Sequence, residues 1–141
     1  EWNKIMDDMI KTMRISTAGM QVQGARLRVI SENIANADSL PQDANGKPYR
    51  RKLITFQNSL NRAMGLNMVK VHSIKADQSE FGKKFDPNHP AADEDGYVLT
   101  PNVNSLVEMS DMREAQRSYE ANLQLIKASK AMLNGAIEIL R

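Results

Sequence analysis

At 141 residues, with 41% hydrophobic but only 5% aromatic side chains, the chain supports one domain or two small pieces, built on aliphatic groups and nine methionines. The absence of cysteine excludes a disulfide scaffold, a thiolate metal site and a thiol nucleophile. Charge is balanced at both ends, five basic against five acidic groups in residues 1–39 and again in 103–141, so the net +2 lies wholly between them. Nucleic-acid binding needs clustered cations, and the run Arg50-Arg51-Lys52 is too short to supply them, so no nucleic-acid partner is expected.

Along the first thirty residues Asp7, Asp8, Lys11, Arg14, Arg26 and Arg28 break up any stretch resembling a signal peptide. No run approaches the roughly 18–20 apolar residues that cross a bilayer, so membrane insertion is not expected. From about Ile5 to Asn36 the pattern predicts one long helix. Met6, Met13, Met20, Leu27 and Ile34 recur every seven residues, and Met9, Ser16, Gln23 and Ile30 follow three places after the first four. Two such rows form one narrow coiled-coil seam. Gly19 and Gly24 weaken the helix by roughly 1 kcal/mol each relative to alanine, and small residues let another helix come close.

The middle, residues 38–102, has a different texture, holding all five prolines and five of the seven aromatics. Asn45-Gly46 predicts a tight turn, since both residues tolerate positive φ. Candidate strands are Arg51–Phe56, Met68–Ile74 and Gly96–Leu99, and Asp86–Pro90 is a loop because its prolines cannot donate to a ladder. The expectation is a small β-containing module with a core of Tyr49, Phe56, Phe81, Phe85 and Tyr97.

Residues 103–141 repeat the first design. Met112, Tyr119, Ile126, Leu133 and Leu140 make one heptad row, and Met109, Gln116, Leu123, Lys130 and Ile137 the other. The helix is expected from about Leu106 to the last residue. Asn104 or Ser105 would cap it, Ser105 completing a capping box with Glu108. The fold class is therefore mainly α, with helices over 1–37 and 103–141 bracketing an irregular β-containing middle. The two seams can satisfy each other in a hairpin within one monomer or pack between molecules. Ser16, Gln23, Gln116 and Lys130 dilute them, and a lone helix pair buries little surface.

No chemistry-bearing constellation emerges. His72 and His89 lack partners at metal-ligand spacing. Asp93-Glu94-Asp95-Gly96 fails as a calcium loop, because its sixth position is Val98 and its twelfth Asn104. Phosphate-cradling and nucleophile-elbow motifs are absent. No catalytic residue, metal, cofactor or small-molecule substrate is expected.

At Ser31–Ser39, reading Ser-Glu-Asn-Ile-Ala-Asn-Ala-Asp-Ser, the sequence resembles the signature that closes the N-terminal helix of flagellar rod, hook and related axial proteins. The motif residues are Asn33, Ala35, Asn36, Ala37 and Asp38. In C-type rod members the form Asn-Leu-Ala-Asn-Ala-Asp-Ser is typical, matched here except at Ile34. Gly46–Arg50 followed by Phe56 looks like the segment after that motif. Gly96-Tyr97-Val98 with Pro101-Asn102-Val103-Asn104 is similar to the C type, and Arg113–Asn122, including Tyr119 and Asn122, to the C-terminal signature. Residues 58–85 carry no such likeness. The resemblance implies a subunit of the proximal rod, in which paired terminal helices form a coiled-coil inner layer and the middle module lies outside. It also implies a hollow, torque-transmitting periplasmic shaft, export without a cleaved signal, and partners that are copies of the chain and other rod proteins. The export apparatus and motor ring are the implied neighbours. Asn33, Asn36 and Asn122 are expected to satisfy helix-end carbonyls or the backbone of a neighbouring subunit. Another rod or hook subunit, or a coiled-coil adaptor or chaperone outside the family, is the alternative.

Overall fold

A computed structural model describes residues 1–141. Its order is α1 (Trp2–Ala35), β1 (Lys52–Asn61), β2 (Leu66–Ala76), β3 (Gly82–Phe85), β4 (Tyr97–Thr100) and α2 (Ser105–Ile139). The helices, 34 and 35 residues long, each extend about 50 Å at 1.5 Å per residue and hold about half of the chain. No helix is long and apolar enough to cross a membrane.

The strands make two separate two-stranded sheets, β1–β2 and β3–β4. β1 and β2 run longer than their apolar cores suggest, joined by Arg62–Gly65, where Gly65 takes the positive φ (64°) that closes the hairpin. β3 was not expected. Gly82-Lys83-Lys84-Phe85 shows no alternation, and all four residues are exposed. It forms by antiparallel pairing with β4, Gly82 opposite Thr100 and Phe85 opposite Tyr97. A Cβ on Gly82 would lie 2.3 Å from Thr100 Oγ1, so a larger residue here would require the threonine side chain to turn away.

Two compact units can be distinguished. The first comprises Glu1–Leu27, Thr55–Ser73 and Glu114–Arg141. Here α1 and α2 run antiparallel, Gly19 against Asn122 and Arg26 against Glu114 (Arg26–Glu114 3.4 Å). A Cβ on Gly19 would sit 2.9 Å from Asn122 Nδ2, so this glycine sets how closely the helices meet. Ser16, Ala18, Val22, Ala115 and Ser129 are buried. The second row of α2 is therefore not the one expected. Of the expected row only Leu123 is half-buried and Met109, Gln116, Lys130 and Ile137 are exposed, whereas Ala115, Asn122, Ser129 and Ala136 are all buried or half-buried. Small side chains let the backbones approach, and the apolar row beside them stays outside.

The second unit comprises Arg28–Ile54 and Ile74–Arg113. Its buried apolar residues are Val29, Ile30, Ala91 and Val98, with Pro41, Pro48, Gly96 and Pro101. The expected aromatic core is corrected here. Phe85 and Tyr97 are exposed and pack edge to face at 5.3 Å, and Phe81 carries the Arg50 guanidinium 4.1 Å above its ring. Phe56, expected in the same core, is exposed and lies in the first unit. A two-stranded sheet has too little area to bury rings on both faces. The Asp43–Gly46 turn forms through Gly46 N–H to Asp43 O (2.9 Å), without the positive φ expected of Asn45-Gly46.

Candidate functional site: a polar clasp and an uncovered helix face

Asn33 is the third residue from the end of α1, 1% exposed. Its Nδ2 donates to Lys52 O (2.9 Å) and to Glu108 Oε2 (3.3 Å). Its Oδ1 accepts from Tyr49 O–H (2.8 Å) and Lys52 N–H (2.9 Å). One side chain thus completes the backbone of the first strand residue, as an adjoining strand would. The Asn33 amide thus serves a strand backbone of its own chain, whereas the expectation was a helix-end carbonyl or the backbone of a neighbouring subunit.

Glu108, also 1% exposed, occupies the first turn of α2, where the positive end of the helix dipole favours a carboxylate. Its role differs from the expected capping box. Asn104 is the N-cap, its Oδ1 accepting from Leu106 N–H (3.1 Å) and Val107 N–H (3.4 Å). Glu108 is left to face the Arg51 guanidinium, which donates to it through Nε. Arg51 also reaches Asp77 Oδ2 (3.3 Å) and Asp111 Oδ2 (3.9 Å). Burial works against the Arg51 charge, but the hydrogen bonds and charges of Glu108 and Asp77 outweigh it and raise its pKa. The Ser79 N–H at 2.9 Å and the Arg51 charge hold the Asp77 carboxyl below its ordinary range. Asn102 closes the cluster, accepting from Arg51 N–H (2.7 Å) and donating to Asp77 O (3.0 Å). Outside it, Lys52 and Glu32 pair at 2.6 Å.

This clasp joins the end of α1, the start of β1, the segment after β2 and the first turn of α2. Its donors and acceptors answer one another, so it works as a joint. Sequence reasoning singled out Asn33 and Asn102 through a resemblance, gave Glu108 a capping role, and missed Arg51 and Asp77 as its companions. Those residues stand up to 57 positions apart, and no local spacing connects them.

The other motif residues do local work. Asn36 Nδ2 donates to Glu32 O (2.8 Å) and Asn122 Nδ2 to Ser118 O (2.9 Å), both within their own helices. Ala37 N–H closes on Ile34 O, Pro101 is buried, and Ala35 and Asp38 are exposed. His89 Nδ1 accepts from Ala91 N–H (3.0 Å), His72 is exposed on β2, and no group of three or more His, Asp or Glu side chains is placed to hold a metal ion. Asp93–Gly96 is a turn, Asp93 Oδ1 accepting from Asp95 and Tyr97 N–H.

Of the expected seam, Met6, Met13, Met20, Leu27 and Ile34 are half-buried and Ile30 fully buried. On α2, Met112, Tyr119, Leu123, Ile126 and Leu133 are half-buried, but Ile137 and Leu140 are exposed. A further row on α2 went unread in the sequence. Leu125 (50%), Met132 (56%) and Ile139 (75%) are exposed at seven-residue spacing, with Ala121, Ala128 and Gly135 between them. The steps of four and three make a second coiled-coil seam on the same helix.

In chain order, two long terminal helices bracket four short strands, and a buried polar clasp ties four segments of the second unit together. The family model described as flagellar basal body rod FlgEFG protein C-terminal matches residues 94–139. The flagellar basal-body rod protein FlgC of Agrobacterium fabrum is 45% identical over 136 residues, 96% of this chain and 98% of the relative. Those of Bacillus subtilis (38%; 91% of this chain, 95% of the relative) and Salmonella typhimurium (34%; 89% and 92%) are also similar. The chain belongs to the flagellar basal-body rod protein FlgC family, and is a structural subunit of the basal-body rod.

Proposed function

We propose that this subunit is non-enzymatic and builds the rod by packing its helices against copies of itself and other rod proteins. The helical ends, residues 1–37 and 103–141, form the wall of a hollow shaft, and residues 38–102 an outer module. The shaft carries torque from motor to hook across the periplasm, and its subunits arrive through the flagellar export apparatus. The motor ring is its neighbour at the base.

The observation that supports this reading is the second seam of α2. Helix α1 takes the row of Ala115, Asn122 and Ser129, while Leu125, Met132 and Ile139 remain uncovered. Covering the half to three-quarters of each that is still exposed is worth roughly 1–2 kcal/mol per side chain, so a second helical partner gains a few kcal/mol from this face. Close-packed parallel seams also supply the stiffness a drive shaft needs. The test is Leu125→Glu with Met132→Glu. The purified variant should melt within about 0.5 kcal/mol of the parent, as surface changes do, while basal bodies fail to form. Normal rods and swimming in that strain would remove the proposal.

A further inference from the structure

We propose that an open cavity beside Arg14 is a socket for Glu138 on the last turn of α2 from a second copy of the chain, an inference that rests on the self-assembly reading above. The cavity measures about 260 Å³ and lies between α1 and the tip of the β1–β2 hairpin. Ala18, Met64 and Met68 give it an apolar floor, and Arg14, Gln21 and Asn61 a polar rim.

Arg14 is the feature that asks for a partner. Its guanidinium donates to the Met64 sulfur at 3.0 Å, and a thioether is a weak acceptor. Like many surface cations Arg14 pairs with no carboxylate; what sets it apart is that it rims a cavity with a methionine sulfur as its acceptor. A carboxylate entering the cavity would replace the sulfur with a charge-assisted bond, roughly twice as strong as a neutral one.

The occupant must bring apolar surface with its charge, because the floor is methionine and alanine. Glu138 fits that chemistry. It is exposed near the end of α2, and its neighbours Ile137, Ile139 and Leu140 are exposed too. Its own Arg14 is out of reach. The antiparallel contacts Gly19–Asn122 and Arg26–Glu114 put Arg14 level with residue 127. Glu138 lies about eleven residues further, about 16 Å along the axis, well beyond an extended glutamate. A second copy displaced along the helix axis brings the two together, and its Ile139 would then cover the floor.

The experiment is a charge swap in the full chain, scored by intact basal bodies, with a chemical cross-link as an independent readout. Arg14→Glu alone and Glu138→Arg alone should each reduce assembled rods at least tenfold, and the double reversal should restore at least half. Both sites are exposed, so monomer melting should not change. With no native cysteine, Arg14→Cys plus Glu138→Cys treated with a short bis-maleimide in isolated basal bodies should give a band at twice 15.8 kDa. Each single-cysteine chain should give none. Lysine-reactive cross-linking of the unmodified rod separates the two readings. If it yields same-chain dimers but the double reversal is no better than the singles and the cysteine pair stays monomeric, the socket is wrong and self-assembly stands. If no same-chain dimer forms under either reagent, the self-assembly reading fails and the socket with it.

Discussion

Replacing Asn33 with alanine is the most direct perturbation of the clasp. The side chain makes four hydrogen bonds at 2.8–3.3 Å while almost wholly buried. Truncation leaves the Lys52 N–H and C=O, the Tyr49 hydroxyl and one Glu108 oxygen without this partner. Each neutral bond contributes about 0.5–1.5 kcal/mol net, and unsatisfied buried groups cost more. Allowing for shared partners, the expected loss is about 3–4 kcal/mol. For a chain of this size 1 kcal/mol moves the melting temperature by about 4 °C, so the midpoint should fall by about 12–16 °C in calorimetry. The sharper comparison is Asn33→Asp, nearly identical in shape. It keeps the acceptor toward Tyr49 and Lys52 N–H, but turns an oxygen toward the Lys52 carbonyl and the Glu108 carboxylate. It should therefore lose as much as alanine or more. An Asn33→Asp protein melting within about 2 °C of the parent would refute the assignment of the amide as a bridging donor.

Two glycines on α1 should respond in opposite directions. Gly24→Ala meets nothing within 4 Å and should stabilise the purified protein by up to about 1 kcal/mol through helix propensity. Gly19→Ala drives a Cβ into the Asn122 amide, which is itself tied to Ser118 O; it should give no gain until Asn122→Ala makes room, as chemical denaturation of the three variants will show. The Asp77 carboxyl is held below its ordinary value of 3.8, so its contribution is fully present above that pH and is lost as pH falls through the lower folded value. An acid titration should show Asp77→Asn removing a stability increment at pH 6 that shrinks as the pH falls below 3.8.

The helices were legible because a seven-residue repeat survives substitution at single positions. Their capping and pairing were less so. A hydrophobic reading selects Met109 and Ile137 for the second row of α2, whereas the packed row is Ala115, Asn122 and Ser129, which looks like surface in a sequence. Their small size is what fits them for close approach, and no hydropathy pattern reports it. Strand β3 was illegible for a related reason, since Lys83 and Lys84 are held only by backbone pairing with residues 98 and 99. The clasp was half visible. Asn33 and Asn102 stood out through family likeness, but Glu108 read as a capping residue because its partner Arg51 is 57 positions away.

That separation bears on the order in which the chain can fold. Within the clasp, Asn33 meets Tyr49 and Lys52 across 16 and 19 residues, Arg51 meets Asp77 across 26, and Glu108 meets Arg51 and Asn33 across 57 and 75. Closing a longer loop costs about 0.6 kcal/mol for each doubling of its length, and non-local contacts form late. The amide–strand contacts can close first. The guanidinium then waits, short of its buried counter-ion, until the first turn of α2 arrives. Docking of Glu108 is thus the closing step of the second unit, and a chain halted before that turn is left with a cation that its own fold has partly withdrawn from water.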